Sequence, residues 1–220
     1  MTPRLLAVDT TSDFGSLALA EGGQLIEEVL LHSTDGFGHI LFQQIRALLD
    51  RHGWRLEDIG CYAAASGPGS FTGVRVGLAA VKGLAETVGR PVVAVSNLRA
   101  IASFGSKPLR AAFFDARRGE VYGGVYDSEG CPVREETVMK FPEWLRGLPS
   151  GDLEYVTPQP AVFAASLPAG ALVTASPRAV ASAIAAIAAR EYAAGRAPEA
   201  AGVDANYVRR SDAELFWKDG

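Results

Sequence analysis

The sequence predicts an α/β fold in which one structural unit is used twice. Each copy begins with a strand that ends in an aspartate, Asp9 or Asp115, and continues with a turn, a second strand, a hairpin and a third strand. Each hairpin contains a glycine, and the copies lie about half a chain apart. Recurrence of the same element order at this spacing indicates an internal duplication.

In the first copy the predicted strands cover residues 4–9, 15–20 and 25–31, and a glycine turn joins the second strand to the third. A helix over 38–52 follows, and Gly53 ends it where left-handed caps occur. Leu41, Ile45 and Leu48 of that helix recur at i, i+4 and i+7, which predicts an amphipathic helix with one apolar face.

A glycine-rich break then leads into a second helix that Ser70 or Thr72 can cap, because a hydroxyl accepts a hydrogen bond from a first-turn amide. Gly69, Gly73 and Gly77 recur every four residues and share one helix face. Each interior glycine costs about 1 kcal/mol relative to alanine. The stripe therefore predicts that the backbone of this helix closely approaches another group.

Two interpretations of the stripe fit the residues. The helix start could bind a phosphate, since its amides and dipole favour anions, or the stripe could allow a sheet or helix to pack closely. The P-loop and Rossmann spacings are both absent. Arg75 could meet an anion or a partner carboxylate, or be a solvated charge. Asp9 could hold phosphate or Mg²⁺, or bond only to turn amides.

The second copy has predicted strands over 109–115, 120–127 and 131–139, and Ser176-Pro177 is predicted to start a last helix that ends near Ala194. This arrangement is typical of duplicated actin-like, RNase H-like (ASKHA) lobes, each a mixed sheet with a three-stranded antiparallel part and packed helices. We place the N-terminal lobe at 1–97 and the C-terminal lobe at 98–220, with the last helix and tail packing back on the first lobe.

Composition narrows the class of protein. The chain has 220 residues and a net charge of -4, so it is not a generally basic nucleic-acid binder. Cys61 and Cys131 are expected to be free thiols. We expect no membrane span and no targeting segment, and therefore a cytoplasmic protein.

Several motifs resemble the TsaB (YeaZ) family. They are Leu-Ala-Val-Asp-Thr-Thr at 6–11, Gly-Pro-Gly-Ser-Phe-Thr-Gly-Val-Arg-Val-Gly at 67–77, Asp-Ala-Arg at 115–117 with Gly-Glu-Val-Tyr at 119–122, and Tyr-Val-Arg at 207–209. The resemblance implies a non-catalytic partner of TsaD, the enzyme that forms N6-threonylcarbamoyladenosine at position 37 of tRNAs reading ANN codons. It also implies TsaE in a larger complex, a homodimer when TsaD is absent, and contact with tRNA only through TsaD.

This sequence lacks the pair of histidines that forms the metal site of TsaD. The resemblance places the two TsaD histidines, spaced His-x-x-x-His, at Asn97 and Ile101, and isoleucine cannot ligate a metal. The three histidines present, His32, His39 and His52, share no ligand spacing. We therefore predict no metal, no catalytic residue and no resident cofactor, and leave open ATP or ADP at the TsaD interface.

The resemblance places partner contacts on the two helices of the first lobe. The predicted partner-binding residues are Leu41, Ile45, Leu48, Gly69, Phe71, Gly73, Val74, Gly77 and Val81. The predicted nucleotide or anion contacts are Asp9, Thr10, Ser70 and Arg75.

Two other functions compete with this one: a glycoprotease-type (M22) peptidase homologue and a free-standing actin-fold ATPase. A peptidase requires a nucleophile with a base, or a metal site, and neither is visible. An ATPase requires phosphate loops in both lobes, and the second turn, 115–119, is rich in arginine and short of glycine. Tyr207, Arg209, Arg210 and Lys218 could touch RNA phosphates, although a tail folded on the first lobe is favoured.

Overall fold

Each predicted copy forms its own five-stranded sheet in the computed structural model, which describes residues 2–209. Within that range the chain divides into two units, one made of residues 2–100 and 178–205 and the other of residues 101–177 and 206–209. The division follows residue 100 rather than 97, and the last helix belongs to the first unit.

The elements follow one another in the order β1 (Arg4–Asp9), β2 (Phe14–Glu21), β3 (Gln24–His32), α1 (Leu41–Arg51), β4 (Cys61–Ala65), α2 (Phe71–Val88), β5 (Val92–Val95), α3 (Asn97–Ala102), β6 (Leu109–Asp115), β7 (Glu120–Tyr126), β8 (Pro132–Lys140), α4 (Phe141–Arg146), β9 (Leu153–Thr157), α5 (Pro160–Phe163), β10 (Val173–Ala175) and α6 (Ala181–Ala193). Short 3-10 turns lie at Leu56–Asp58, Ala164–Ser166 and Ala200–Gly202.

The two sheets share one topology. The first has the order β3-β2-β1-β4-β5, and the second, taken from its other edge, has the order β8-β7-β6-β9-β10. In each sheet the first strand of the repeat is antiparallel to the second and parallel to the fourth. The predicted duplication is thus present in strand order and strand direction.

The first unit packs helices on both faces of its sheet. Leu6 and Val8 of β1 lie in a core with the apolar residues of α1 and α2. Because side chains alternate along a strand, Leu5, Ala7 and Asp9 point to the opposite face, and α6 packs against the same strands. In the second unit Phe113 of β6 is the centre of an aromatic core.

Two helix starts differ from the prediction. Helix α1 begins at Leu41 rather than Gly38, after Phe37, which is buried in the core and accepts the amides of residues 40 and 41. Helix α6 begins at Ala181, four residues after Pro177, and the Ser176 hydroxyl contacts the Pro177 carbonyl instead of capping the helix. The caps of α6 come from distant strands, as described below.

The tail also differs from the prediction as far as it is described. Residues 206–209 belong to the second unit, where Asn206 donates to Glu136 and Arg209 donates to the carbonyl of Ala116 at 2.9 Å. Arg210 and Lys218 lie outside the described residues. Among the helices of the described part, none has both the length and the apolar character that crossing a lipid bilayer requires.

Candidate functional site

The carboxylate of Asp9 lies at the end of β1, and the rest of the chain surrounds it completely. The side chain is fully buried. Its Oδ1 accepts the amide of Thr11 at 3.0 Å and the hydroxyl of Thr11 at 2.7 Å. Its Oδ2 accepts the amide of Val180 at 3.0 Å. A phosphate or a cation at this carboxylate would have to displace the Val180 amide.

The start of α6 receives one side chain from each of the first three strands. The backbone amides of residues 180, 181 and 182 donate hydrogen bonds, respectively, to Asp9 Oδ2, to Ser16 Oγ at 2.9 Å and to Glu28 Oε1 at 2.9 Å. These amides have no partner inside the helix, and a carboxylate also complements the positive end of the helix dipole. The geometry therefore explains why α6 begins where it does.

Burial controls the protonation of Asp9. Removal of the carboxylate from water raises the pKa of Asp9 above its ordinary value of 3.8, and hydrogen bonds from Thr11, Val180 and Asn97 oppose that rise. The same hydrogen bonds satisfy both oxygens, as a buried polar group requires. The group has the surroundings of a structural carboxylate.

Asn97 holds two loops of the first unit together. Its Nδ2 donates to the Thr11 hydroxyl at 2.6 Å, and its Oδ1 accepts the amide of Gly67 at 3.0 Å. The side chain is buried. The position where the resemblance places a metal-binding histidine thus carries an amide that is engaged with its own chain.

Gly73 and Gly77 of α2, and Gly69 just before the helix, lie against the turn after β1. A Cβ at Gly73 would come within 2.0 Å of the Thr10 carbonyl oxygen, one at Gly69 within 2.6 Å of the Thr11 carbonyl oxygen, and one at Gly77 within 2.6 Å of Thr10 Oγ1. The packing interpretation is therefore the one that fits, and the group that approaches the helix is this chain's own turn.

That contact corrects part of the predicted partner surface. Gly69, Gly73 and Gly77 face the chain itself. All but one of the other predicted partner-binding residues lie in the buried core of the first unit. They are Leu41, Ile45, Leu48, Val74 and Val81. An amphipathic pattern predicts a helix face that is buried, and in α1 that face is buried in the core of the first unit.

Phe71 is the exception, with 42% of its surface exposed at the start of α2. The guanidinium of Arg75, one turn later, lies 3.8 Å from the centroid of the Phe71 ring, a cation–π arrangement. On α1, Phe42 is 56% exposed. Sequence reasoning missed Phe42, although an aromatic residue outside the i, i+4, i+7 pattern was a usable signal.

The predicted anion contacts are engaged within the first unit. The Thr10 hydroxyl donates to the Gly73 carbonyl at 2.7 Å. Ser70 is the N-cap of α2, and its Oγ accepts the Gly73 amide at 3.3 Å. The cap prediction is confirmed for Ser70, and nucleotide contact by these residues stays a prediction.

Comparison with known proteins places these features in a family. The protein-family model for TsaD, described as tRNA N6-adenosine threonylcarbamoyltransferase, matches residues 35–212 of this sequence. The chain is 32% identical over 154 residues to the tRNA threonylcarbamoyladenosine biosynthesis protein TsaB of Bacillus subtilis, and the alignment covers 67% of each chain. It is 36% identical over 140 residues to the TsaB protein of Escherichia coli, covering 61% of this chain and 60% of that protein.

A solved structure agrees with these relatives. A Pseudomonas aeruginosa protein described as similar to the peptidase YeaZ superimposes with a TM-score of 0.80 at 29% identity, covering 94% of this chain and all of that one. The chain belongs to the TsaB (YeaZ) family. The prediction of duplicated actin-like lobes, and the family resemblance of the motifs, are confirmed. Within residues 2–209, no three His, Cys, Asp or Glu side chains lie together in a group that could hold a metal ion.

Proposed function

We propose that the chain is a non-catalytic partner of TsaD in the formation of N6-threonylcarbamoyladenosine at position 37 of tRNAs that read ANN codons. The relatives named TsaB are biosynthesis proteins for this nucleoside. On this proposal TsaD carries the transfer chemistry, and this chain supports the enzyme. TsaE joining the complex, ATP or ADP at the TsaD interface, and a homodimer in the absence of TsaD are parts of the same proposal.

One observation carries the non-catalytic part. The two positions where chemistry would be expected, Asp9 and Asn97, are both bonded within the chain. Asp9 is occupied by Thr11 and by the start of α6, and Asn97 by Thr11 and Gly67. An ATPase of this fold class would need the Asp9 carboxylate to face solvent and a cation, and here it faces protein.

The partner part depends on the outer surfaces of α1 and α2. Phe42, Phe71 and Arg75 are exposed there, and aromatic and arginine side chains are the residues most often found at the energetic centre of protein interfaces. We place the TsaD contact on this set, which we call the outer helix surface.

The test is a mixture of the chain with TsaD from the same source, examined by size exclusion with light scattering and by titration. Phe71→Ala removes an exposed ring without filling or emptying the core, and is expected to weaken the complex about tenfold. The matched control is Val162→Ala, which removes an apolar side chain that is 66% exposed in the second unit. It should bind as wild type does.

The outcomes separate the two parts of the proposal. Failure of the wild-type chain to bind TsaD would refute the partner function, and ATP turnover by the chain alone would then become the next measurement. Equal binding by wild type, Phe71→Ala and Phe42→Ala would keep the partner function and refute the outer helix surface as its location.

A further inference from the structure

The turn between β6 and β7 has an unusual backbone. Arg117, Arg118 and Gly119 all have positive φ, at 65°, 56° and 71°. Glycine adopts this left-handed region freely, whereas a residue with a Cβ is strained there. Glycine at 117 and 118 would form the same turn with less strain. The arginines are therefore not explained by the needs of the turn.

Surrounding groups hold the turn in place. The amide of Arg117 donates to Asp115 Oδ1 at 2.8 Å, and Lys140 Nζ donates to the carbonyl of Arg118 at 2.7 Å. Arg209 donates to the carbonyl of Ala116 and pairs with Glu120. The backbone that presents Arg117 and Arg118, both exposed, is thus fixed before any ligand arrives.

The charge and the neighbouring rings indicate the kind of ligand. The turn and its supports carry four cations, Arg117, Arg118, Lys140 and Arg209, against the two carboxylates named above, on a chain whose net charge is -4. The half-buried ring of Tyr122 lies 5.4 Å from the guanidinium of Arg209. Arginine matches phosphate oxygens with paired donors, and aromatic rings beside cations are typical of surfaces that contact RNA.

We infer that this basic turn, residues 115–119, contacts the phosphate backbone of tRNA. The inference rests on the proposed function, which makes tRNA the polyanion that the assembled proteins must hold. It differs from the expectation that tRNA is contacted only through TsaD. It also places the contact on the turn rather than on the tail, where Arg209 serves as a support.

The test uses a double variant whose effects on stability and on binding have opposite signs. Arg117→Gly/Arg118→Gly removes the side chains and relieves the strained φ angles, so its unfolding midpoint should equal or exceed that of wild type. Its affinity for an unmodified tRNA transcript, measured by fluorescence anisotropy, should fall about tenfold at low salt. The slope of log affinity against log salt should become shallower by about 2, as expected for two lost phosphate contacts.

The control is Arg146→Gln/Arg190→Gln, which removes two exposed arginines elsewhere and changes the net charge equally. The tRNA affinity of this control should stay within about twofold of the wild-type value, because the control keeps Arg117 and Arg118 and therefore their proposed phosphate contacts. All measurements are made with the chain alone and with TsaD added, so that loss of TsaD binding, seen by light scattering, is recorded separately.

Equal tRNA affinity of the glycine variant and wild type in both settings would overturn the inference. The absence of salt-dependent tRNA binding by the wild-type chain, alone and with TsaD, would also overturn it. If the glycine variant instead weakens only the complex with TsaD, the turn contacts an acidic protein surface and not RNA.

Discussion

Replacing Gly73 with alanine places a methyl group against the backbone of the turn after β1. The built Cβ lies 2.0 Å from the Thr10 carbonyl oxygen and 3.0 Å from the Thr10 carbonyl carbon. Both are backbone atoms, so no side-chain rotation relieves the overlap. The helix or the turn must move, and the hydrogen bond from the Thr10 hydroxyl to the Gly73 carbonyl, 2.7 Å long, is lost or lengthened with it.

The magnitude follows from three contributions. Overpacking of this kind costs about 3 kcal/mol, loss of one hydrogen bond costs about 1 kcal/mol, and exchange of glycine for alanine in a helix returns about 1 kcal/mol. The expected net destabilisation of Gly73→Ala is therefore about 3 kcal/mol. Gly83→Ala is the matched control, because it lies in the same helix and its Cβ would meet nothing within 4 Å. It should stabilise the chain by about 1 kcal/mol.

Thermal and urea unfolding followed by circular dichroism measure the difference. Gly83→Ala should melt above wild type and Gly73→Ala below it, separated by roughly 10 °C for a chain of this size. Gly73→Ala with a melting temperature equal to or above that of wild type would refute the packing of the stripe on the Thr10 turn. The stripe would then again be available as a surface for a partner.

Substitutions at three further positions test the two carboxylates and the helix cap. Asp9→Asn keeps one acceptor oxygen for Thr11 but places an NH2 group, which can only donate, against the Val180 amide, and should cost about 2 kcal/mol in urea unfolding at neutral pH. Because burial raises the pKa of Asp9 above 3.8, the folded state holds its proton more tightly than the unfolded state. The wild-type advantage over Asp9→Asn should therefore shrink as the pH rises through that raised pKa, and growth with pH would contradict the assignment. For Glu154, burial raises the pKa, but hydrogen bonds from Thr174 and from nearby backbone amides outweigh it, and the pKa lies below 4.5. Its contribution to stability is thus present above about pH 4.5 and lost as the pH falls through the lowered pKa, so Glu154→Gln should flatten the acid side of the unfolding profile. Ser70→Ala should lower the free energy of unfolding by about 1 kcal/mol through loss of the α2 cap, and Ser70→Asp should restore it; equal stability of both variants would argue against the cap.

Local patterns in the sequence were sufficient for the repeated sheet. Each copy has short apolar runs, an aspartate at the end of its first strand, and a hairpin marked by glycine, and the three-stranded antiparallel part of each sheet was predicted from these features. The start of α6 did not follow from local patterns. Ser176-Pro177 is a good local start signal, but the caps that decide the start come from side chains more than 150 residues earlier in the chain.

The candidate site shows the same limit. Glycine spacing in α2 predicted a close approach, yet it could not name the Thr10 turn as the group that approaches. The apolar stripe of α1 predicted a covered face, and only the three-dimensional packing distinguishes cover by the core from cover by a partner. Asn97 carries no motif of its own, and its role becomes visible only once Gly67 and Thr11 lie on either side of it.

The capping of α6 by the first three strands has a consequence for the order of events during synthesis. The hydrogen bonds at its start join residues 171, 165 and 154 positions apart, and the entire stretch from 101 to 177 of the second unit is translated between them. The first unit therefore cannot be completed until the ribosome has passed its last helix. Domains usually fold in the order in which they emerge, but here most of the second unit is synthesised before α6, and the Val180 amide that bonds to Asp9 is not available to the N-terminal sheet until then.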